Sequence, residues 1–147
     1  MDYLSQQEKI KEYIKNNYPI TLQSIGLEDM GDYIDDFLDL DTYKKSKQLF
    51  FDFSYYNYEN LSNESETEDF QFSIYLVFRN GNKKDLKENM LKYATAFYKM
   101  FDDSGRNLGG IADMGRIQTV EFYPYVEGSP NVKIAELTIH LYSEIDA

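Results

Sequence analysis

The chain has 147 residues, 42% of them hydrophobic and 16% aromatic, with no cysteine, one histidine and a formal net charge of −11. That length and apolar content suit a single domain with one core, and the lack of cysteine excludes disulfides, thiolate metal centres and cysteine nucleophiles. The acidity opposes a specific grip on nucleic acid, which needs a basic stripe, although an acidic wall lets a polyanion slide past without adhering.

No basic, apolar leader occupies Met1 to Tyr18, and the longest apolar run, Ile74 to Phe78, is far below the roughly 20 residues of a membrane span. A soluble protein with no membrane partner and no secretion is therefore expected. The sequons Asn60-Leu61-Ser62 and Asn63-Glu64-Ser65 then read as chance matches in a polar loop.

Ser5-Gln6-Gln7-Glu8 has the spacing of a capping box, and Ile10, Ile14 and Tyr18 recur on one face. This predicts a helix from about Gln6 to Asn17, ended by Pro19, because the residue before a proline is driven out of helical geometry. Between Leu27 and Leu40, Met30, Tyr33, Ile34, Phe37 and Leu38 fall at helical spacing with aspartates opposite, which predicts a short second helix that Gly31 weakens. The stretch is acidic throughout: Glu28 to Asp41 holds seven acids and no base.

From Lys47 to Tyr58 the period changes to two, with Leu49, Phe51, Phe53 and Tyr55 on one face and Phe50, Asp52, Ser54, Tyr56 and Tyr58 on the other. Glu59 to Asp69 reads as a polar hairpin loop, and Phe70, Phe72, Ile74, Leu76 and Phe78 alternate as the returning strand. Asp85 and Glu88 repeat the capping spacing before Leu86, Met90, Tyr93, Ala94, Phe97 and Phe101 draw one long helical stripe, with Gly105 placed for a left-handed cap. Arg116 to Tyr125 and Val132 to Tyr142 follow as two strands joined by a turn at Gly128, Ser129 and Pro130.

The expected fold is a single α+β domain over 1–147. An acidic helical segment, 1–41, precedes a hairpin, long helix and hairpin over 46–147, giving a four-stranded, mostly antiparallel sheet with the long helix packed on one face. Its second sheet face gathers Phe50, Tyr56, Tyr58, Tyr75, Val77, Val120 and Phe122. Either the N-terminal segment covers these residues or another chain does.

Chemistry-bearing motifs are sparse. Asp39-Leu40-Asp41-Thr42-Tyr43-Lys44 lacks the glycine and terminal glutamate of a calcium loop. His140 has no second histidine or cysteine for zinc or a catalytic relay. Gly105 to Gly110 follows no strand and is followed by no Gly-Lys-Ser/Thr, so it is a turn and not a phosphate cradle. Arg106 and Arg116 beside it are expected to pair with surface acids. No catalytic, metal or cofactor site is assigned, and an enzyme is not expected.

The strand from Phe70, the helix Asp85 to Phe101, Leu108-Gly109-Gly110-Ile111, Arg116-Ile117 with Val120 and Tyr123, and the closing Ala135-Glu136-Leu137-Thr138-Ile139-His140-Leu141-Tyr142 form an order of elements. It resembles that of the tail-terminator, tail-completion and head-to-tail joining proteins of long-tailed bacteriophages. The resemblance covers about half the chain and does not extend to the acidic Leu27 to Asp41 segment. It implies a structural phage or prophage protein, assembled in the host cytoplasm into the virion. Such subunits form a ring, often a hexamer, on the tail-tube end, stop tube growth and meet the head connector, while DNA passes through the lumen. Phe50, Tyr56, Tyr58 and Tyr75 are the expected subunit contact, and Asp32, Asp35, Asp36 and Asp39 the expected acidic surface. A monomeric acidic interaction module, of inhibitor or immunity type, stays open as the alternative.

Overall fold

The structure is a computed structural model and describes residues 2–36, 38–60, 65–129 and 131–146. Phe37 of the expected second helix, residues 61–64 of the hairpin loop and sequons, and Pro130 of the last turn lie outside the described residues. The elements run α1 (Tyr3–Ser24), β1 (Asp32–Ile34), β2 (Lys47–Asn60), β3 (Ser65–Phe78), α2 (Lys83–Asp103), β4 (Met114–Tyr123) and β5 (Lys133–Asp146).

The class is α+β, but the sheet has five strands and not the expected four, in the order β1-β2-β3-β5-β4. The extra strand is β1, which pairs parallel with β2 while the other pairs are antiparallel. It replaces the helix expected between Leu27 and Leu40. The local chemistry explains why: Asp29 Oδ1 accepts from the Met30 N–H at 2.7 Å, and Asp39 Oδ1 accepts from the N–H groups of Asp41 and Thr42, each at 3.0 Å. Aspartates that capture nearby backbone donors compete with helical bonding. The Gly31 N–H meanwhile donates to Lys47 O at 2.8 Å and leads the chain onto the edge of β2.

Helix α1 also departs from its expected limits. Asp2, not Ser5, is the cap, its carboxylate accepting from the Ser5 N–H at 3.0 Å, and the helix runs through Pro19 to Ser24. Pro19 removes one helical donor, yet Tyr18 and Leu22 on either side of it are fully buried, so packing outweighs the lost bond. Asn17 Nδ2 donates to Tyr13 O at 2.7 Å and Thr21 Oγ1 to Asn17 O at 3.3 Å, tying the same turn from outside.

Both helices lie on one face of the sheet. Ile10, Ile14, Tyr18 and Leu22 of α1 and Leu86, Met90, Tyr93, Phe97 and Phe101 of α2 share a core with Phe72, Ile74, Leu76, Leu137 and Ile139. Tyr18 meets Phe97 edge-on at 5.3 Å between centroids, and its hydroxyl donates to Tyr93 O at 2.7 Å. The second face carries a smaller cluster of Ile34, Phe50, Val77, Val132 and Ile134, with Leu38, Leu40 and Tyr43 packed on it. At the end of α2, Gly105 adopts the left-handed conformation (φ 81°). At Gly109 (φ 73°) a Cβ would fall 2.7 Å from the Tyr13 ring, so the loop touches α1 only because that residue has no side chain.

Phe97 is fully buried between both helices and the sheet. Phe97→Ala is expected to cost about 3–5 kcal/mol in urea unfolding. Tyr18→Phe, which preserves the ring and removes only the hydroxyl's bond to Tyr93 O, a carbonyl inside α2, is expected to cost about 0.5–1.5 kcal/mol. An unchanged midpoint in either variant would contradict this core.

Candidate functional site

Two β-bulges decide which residues face solvent together. On β2 the register passes from Phe53↔Phe72 to Tyr55↔Gln71, and on β4 from Ile117↔Ile139 to Thr119↔Thr138. Ser54 and Gln118 are the inserted residues, and each insertion inverts the side-chain alternation beyond it. Tyr56 therefore lies opposite Phe70, and Val120 and Phe122 lie opposite Leu137 and Ala135, all on the helix face.

The second bulge builds the candidate site. Strand β4 is an edge, paired among the described residues only with β5, and is exposed along nearly all its length. Val120 and Phe122, 38% and 41% exposed, point to the side of α2, where Tyr98 is 45% exposed. Between strand and helix lies a groove of about 500 Å³ lined by Ala94, Thr95, Tyr98, Val120 and Phe122, with Lys99 and Asp102 among its polar neighbours. Its charges are internally matched: Lys99 pairs with Asp103 at 2.7 Å and Arg106 with Asp102 at 2.8 Å. The arrangement offers apolar area beside an open sheet edge, which suits a protein contact.

The sequence-derived contact residues do not form one patch. Phe50 is fully buried under the 34–43 segment, touching Tyr43 edge-on at 5.7 Å. Tyr75 lies beside it on that face. Tyr56 lies on the opposite face, stacked on Phe70 at 4.2 Å and tilted against Tyr3 at 4.2 Å, and the Tyr58 hydroxyl meets that of Tyr3 at 2.8 Å.

The four aspartates of the expected acidic surface each hold a local structure together. Asp32 pairs with Lys45 at 3.0 Å, and Asp35 with Lys11 at 2.5 Å. Asp36 accepts from the Tyr43 hydroxyl at 3.3 Å, and Asp39 caps the turn at Thr42. Among the described residues no group of three or more His, Asp or Glu side chains is placed to hold a metal ion, and no helix is long and apolar enough to cross a membrane.

Several buried polar residues, Glu68 and Gln48 among them, escaped the sequence reading. Glu68, 1% exposed, ends the core face of β3 beneath α1 and accepts from Gln6 Nε2 at 3.2 Å. It sits among Glu64, Glu66 and Asp69, and only its phase with Phe70 and Phe72 marks it as facing the core. His140, 6% exposed, places Nδ1 3.1 Å from Asp69. Arg116 lies over the Tyr142 ring at 5.9 Å and forms no ion pair among the described residues. No protein family and no curated protein matches the chain.

The core tyrosines Tyr18 and Tyr93 and the tether Lys11 shift upward together, whereas hydrogen bonds from Thr42 lower Asp39 and burial lowers Arg79. Burial pushes the Tyr18 phenol well above its ordinary value. Burial, then the charges of Glu28 and Asp29, pushes Tyr93 up to about 12. Burial opposes the charge of Lys11, but the hydrogen bonds it donates to Asp35 and Glu8, with their charges, outweigh it and raise the group. Groups raised on folding contribute stability that is complete below their unfolded values, near 10 for tyrosine and lysine, and lost as pH rises through the folded values. The urea midpoint is thus expected to hold up to about pH 10 and to fall between about 10 and 12, with tyrosinate absorbance appearing together with unfolding. Tyrosinate forming at pH 10 in a folded protein, for all tyrosines alike, would contradict the burial.

Proposed function

We propose that the chain is a structural subunit of a phage or prophage virion, of the tail-terminator or tail-completion kind. In this reading it closes into a homo-oligomeric ring at the end of the tail tube and joins it to the head connector, with no catalytic role. The observation that carries it is the α2–β4 groove at an unpaired sheet edge. A ring needs two different complementary surfaces on each subunit. The opposite edge of the sheet supplies a second: among the described residues, β1 pairs with β2 at Gln48, Leu49 and Phe50 and no other strand lies along β2 on that side, and Tyr55 stands there 46% exposed.

The expected contact accordingly moves from Phe50, which the chain covers itself, to Val120 and Phe122. The net charge of −11 acts against DNA sticking to a lumen wall. It also makes copies repel, so salt is expected to favour assembly. The acidic-module alternative would use the same segment, where Glu28, Asp29, Asp35 and Asp41 are exposed although several of its acids also pair within the chain.

The test is mass in solution by light scattering after size exclusion, across concentration and salt. The wild-type chain is expected to form a closed multimer that salt strengthens. Phe122→Glu, at an exposed position, is expected to reduce it to monomer with far-UV circular dichroism unchanged. A wild-type chain that stays monomeric at every concentration, or a Phe122→Glu variant that keeps the multimer, would overturn the proposal.

A further inference from the structure

The outer side of the same edge carries a different chemistry. Beyond the Gln118 bulge, Glu121 and Tyr123 face away from the helices, and Glu121 lies directly opposite Glu136 of β5. Like charges in directly opposed positions destabilise a sheet. The Tyr123 hydroxyl lies 2.6 Å from Glu121 Oε2 and 2.8 Å from Glu136 Oε1. A phenol has one proton, so it satisfies one carboxylate at a time. The Tyr75 hydroxyl donates to Glu136 Oε2 at 3.1 Å. Among the described residues, no lysine, arginine or histidine forms an ion pair with Glu121, Glu127 or Glu136.

These groups border a cavity of about 380 Å³ lined by Tyr75, Tyr123, Tyr125, Glu127 and Glu136, with apolar wall from Leu38 and Ile134. Two phenols hold the Glu136 carboxylate in place, and apolar surface beside it weakens solvent screening of its charge. Tyrosine rings add attraction for a cation. The phenols register the negative surroundings: burial, then Glu136, pushes Tyr75 up to about 12, and hydrogen bonding to Glu121 and Glu136 raises Tyr123.

We propose that this tyrosine- and glutamate-lined pocket receives an arginine side chain from a basic protein partner distinct from the chain itself. Arginine fits because its planar donor fork matches carboxylates and stacks on aromatic rings, whereas an ammonium offers a point charge. A different protein fits better than a second copy because the chain carries −11, so two copies repel while a basic partner is steered in. The inference does not rest on the ring: the pocket belongs to one chain, on the face away from the α2–β4 groove.

The test follows the tyrosine ring signals of the full chain by nuclear magnetic resonance while N-acetyl-arginine amide, a Gly-Arg-Gly peptide, or N-acetyl-citrulline amide is added. The signals of Tyr75, Tyr123 and Tyr125 are expected to move with both arginine probes and to stay with the uncharged citrulline probe. Glu136→Gln is expected to weaken the response by about tenfold or more, while its core signals stay dispersed. Equal response to citrulline, to spermidine or to Mg²⁺, or an undiminished response in Glu136→Gln, would overturn the proposal. A Glu136→Gln variant that dissolves a wild-type multimer would also overturn it, by making the occupant a second copy. A monomeric wild-type chain that still binds the arginine probes would remove the ring and leave the pocket standing.

Discussion

Everything else in this fold depends on the contact between α1 and α2 over the sheet. Fourteen-residue strands such as β3 and β5 present more apolar length than one helix covers, so α1 has to lie beside α2 on the same face. Tyr18 makes that contact specific: its ring meets Phe97 and its hydroxyl reaches Tyr93 O. The Tyr93 hydroxyl in turn donates to Glu28 O at 2.8 Å, fixing the chain just after α1 turns back. Lys11 adds a second tether through Asp35. With its start held in this way, the segment from Glu28 has one short route, along the free edge of β2 and over the outer face. That route brings Leu38, Leu40 and Tyr43 onto Phe50 and Val77. A core contact on one side of the sheet thus determines which aromatics are covered on the other.

The bulges act on a smaller scale with a larger functional consequence. Without the extra Gln118, Val120 and Phe122 would lie on the outer face beside Glu136, and the helix side of β4 would be polar. With it, one edge strand shows apolar side chains toward α2 and carboxylate and phenol toward the outer face. The bulge also twists the strand and disturbs its free ladder, which discourages indiscriminate pairing with other strands. Side-chain complementarity, more than backbone continuation, is then the means by which this edge selects what binds.

Period alone made the long elements legible. The stripe of Leu86, Met90, Tyr93, Phe97 and Phe101 gave α2, and the alternation from Phe70 to Phe78 gave the buried part of β3, whereas Ser65 to Asp69, expected in the loop, also belong to the strand, their acids obscuring its period. Three features were hidden for different reasons. Pro19 signals a helix end wherever local preference rules, but burial of Tyr18 and Leu22 overrides it here. Met30, Tyr33 and Ile34 fit a helical wheel, yet in a three-residue strand period carries almost no information, and the competition from Asp29 and Asp39 side chains decided the outcome. The bulges invert alternation without changing composition. Ile117, Val120 and Phe122 do mark one, being spaced by three and then by two. On β2 the aromatic doublet Tyr55-Tyr56 gives either phase a residue to bury, so that bulge leaves no comparable trace.

The two surfaces proposed along β4 have opposite physical dependence, and that follows from the residues themselves. Contact through Val120, Phe122 and Tyr98 removes apolar area from water and has little salt dependence of its own, so screening the net charge strengthens it. A guanidinium held by Glu136 is weakened by the same salt, its exposed neighbours Glu127 and Tyr125 most of all. If both proposed contacts form, alternate residues of a single strand would serve contacts that ionic strength pushes in opposite directions. For a subunit that must first associate with itself and then receive a different protein, this separation has a use. On the proposed reading, the self-contact would tolerate the acidic charge that copies share, and that same charge would draw a basic partner to the face left open.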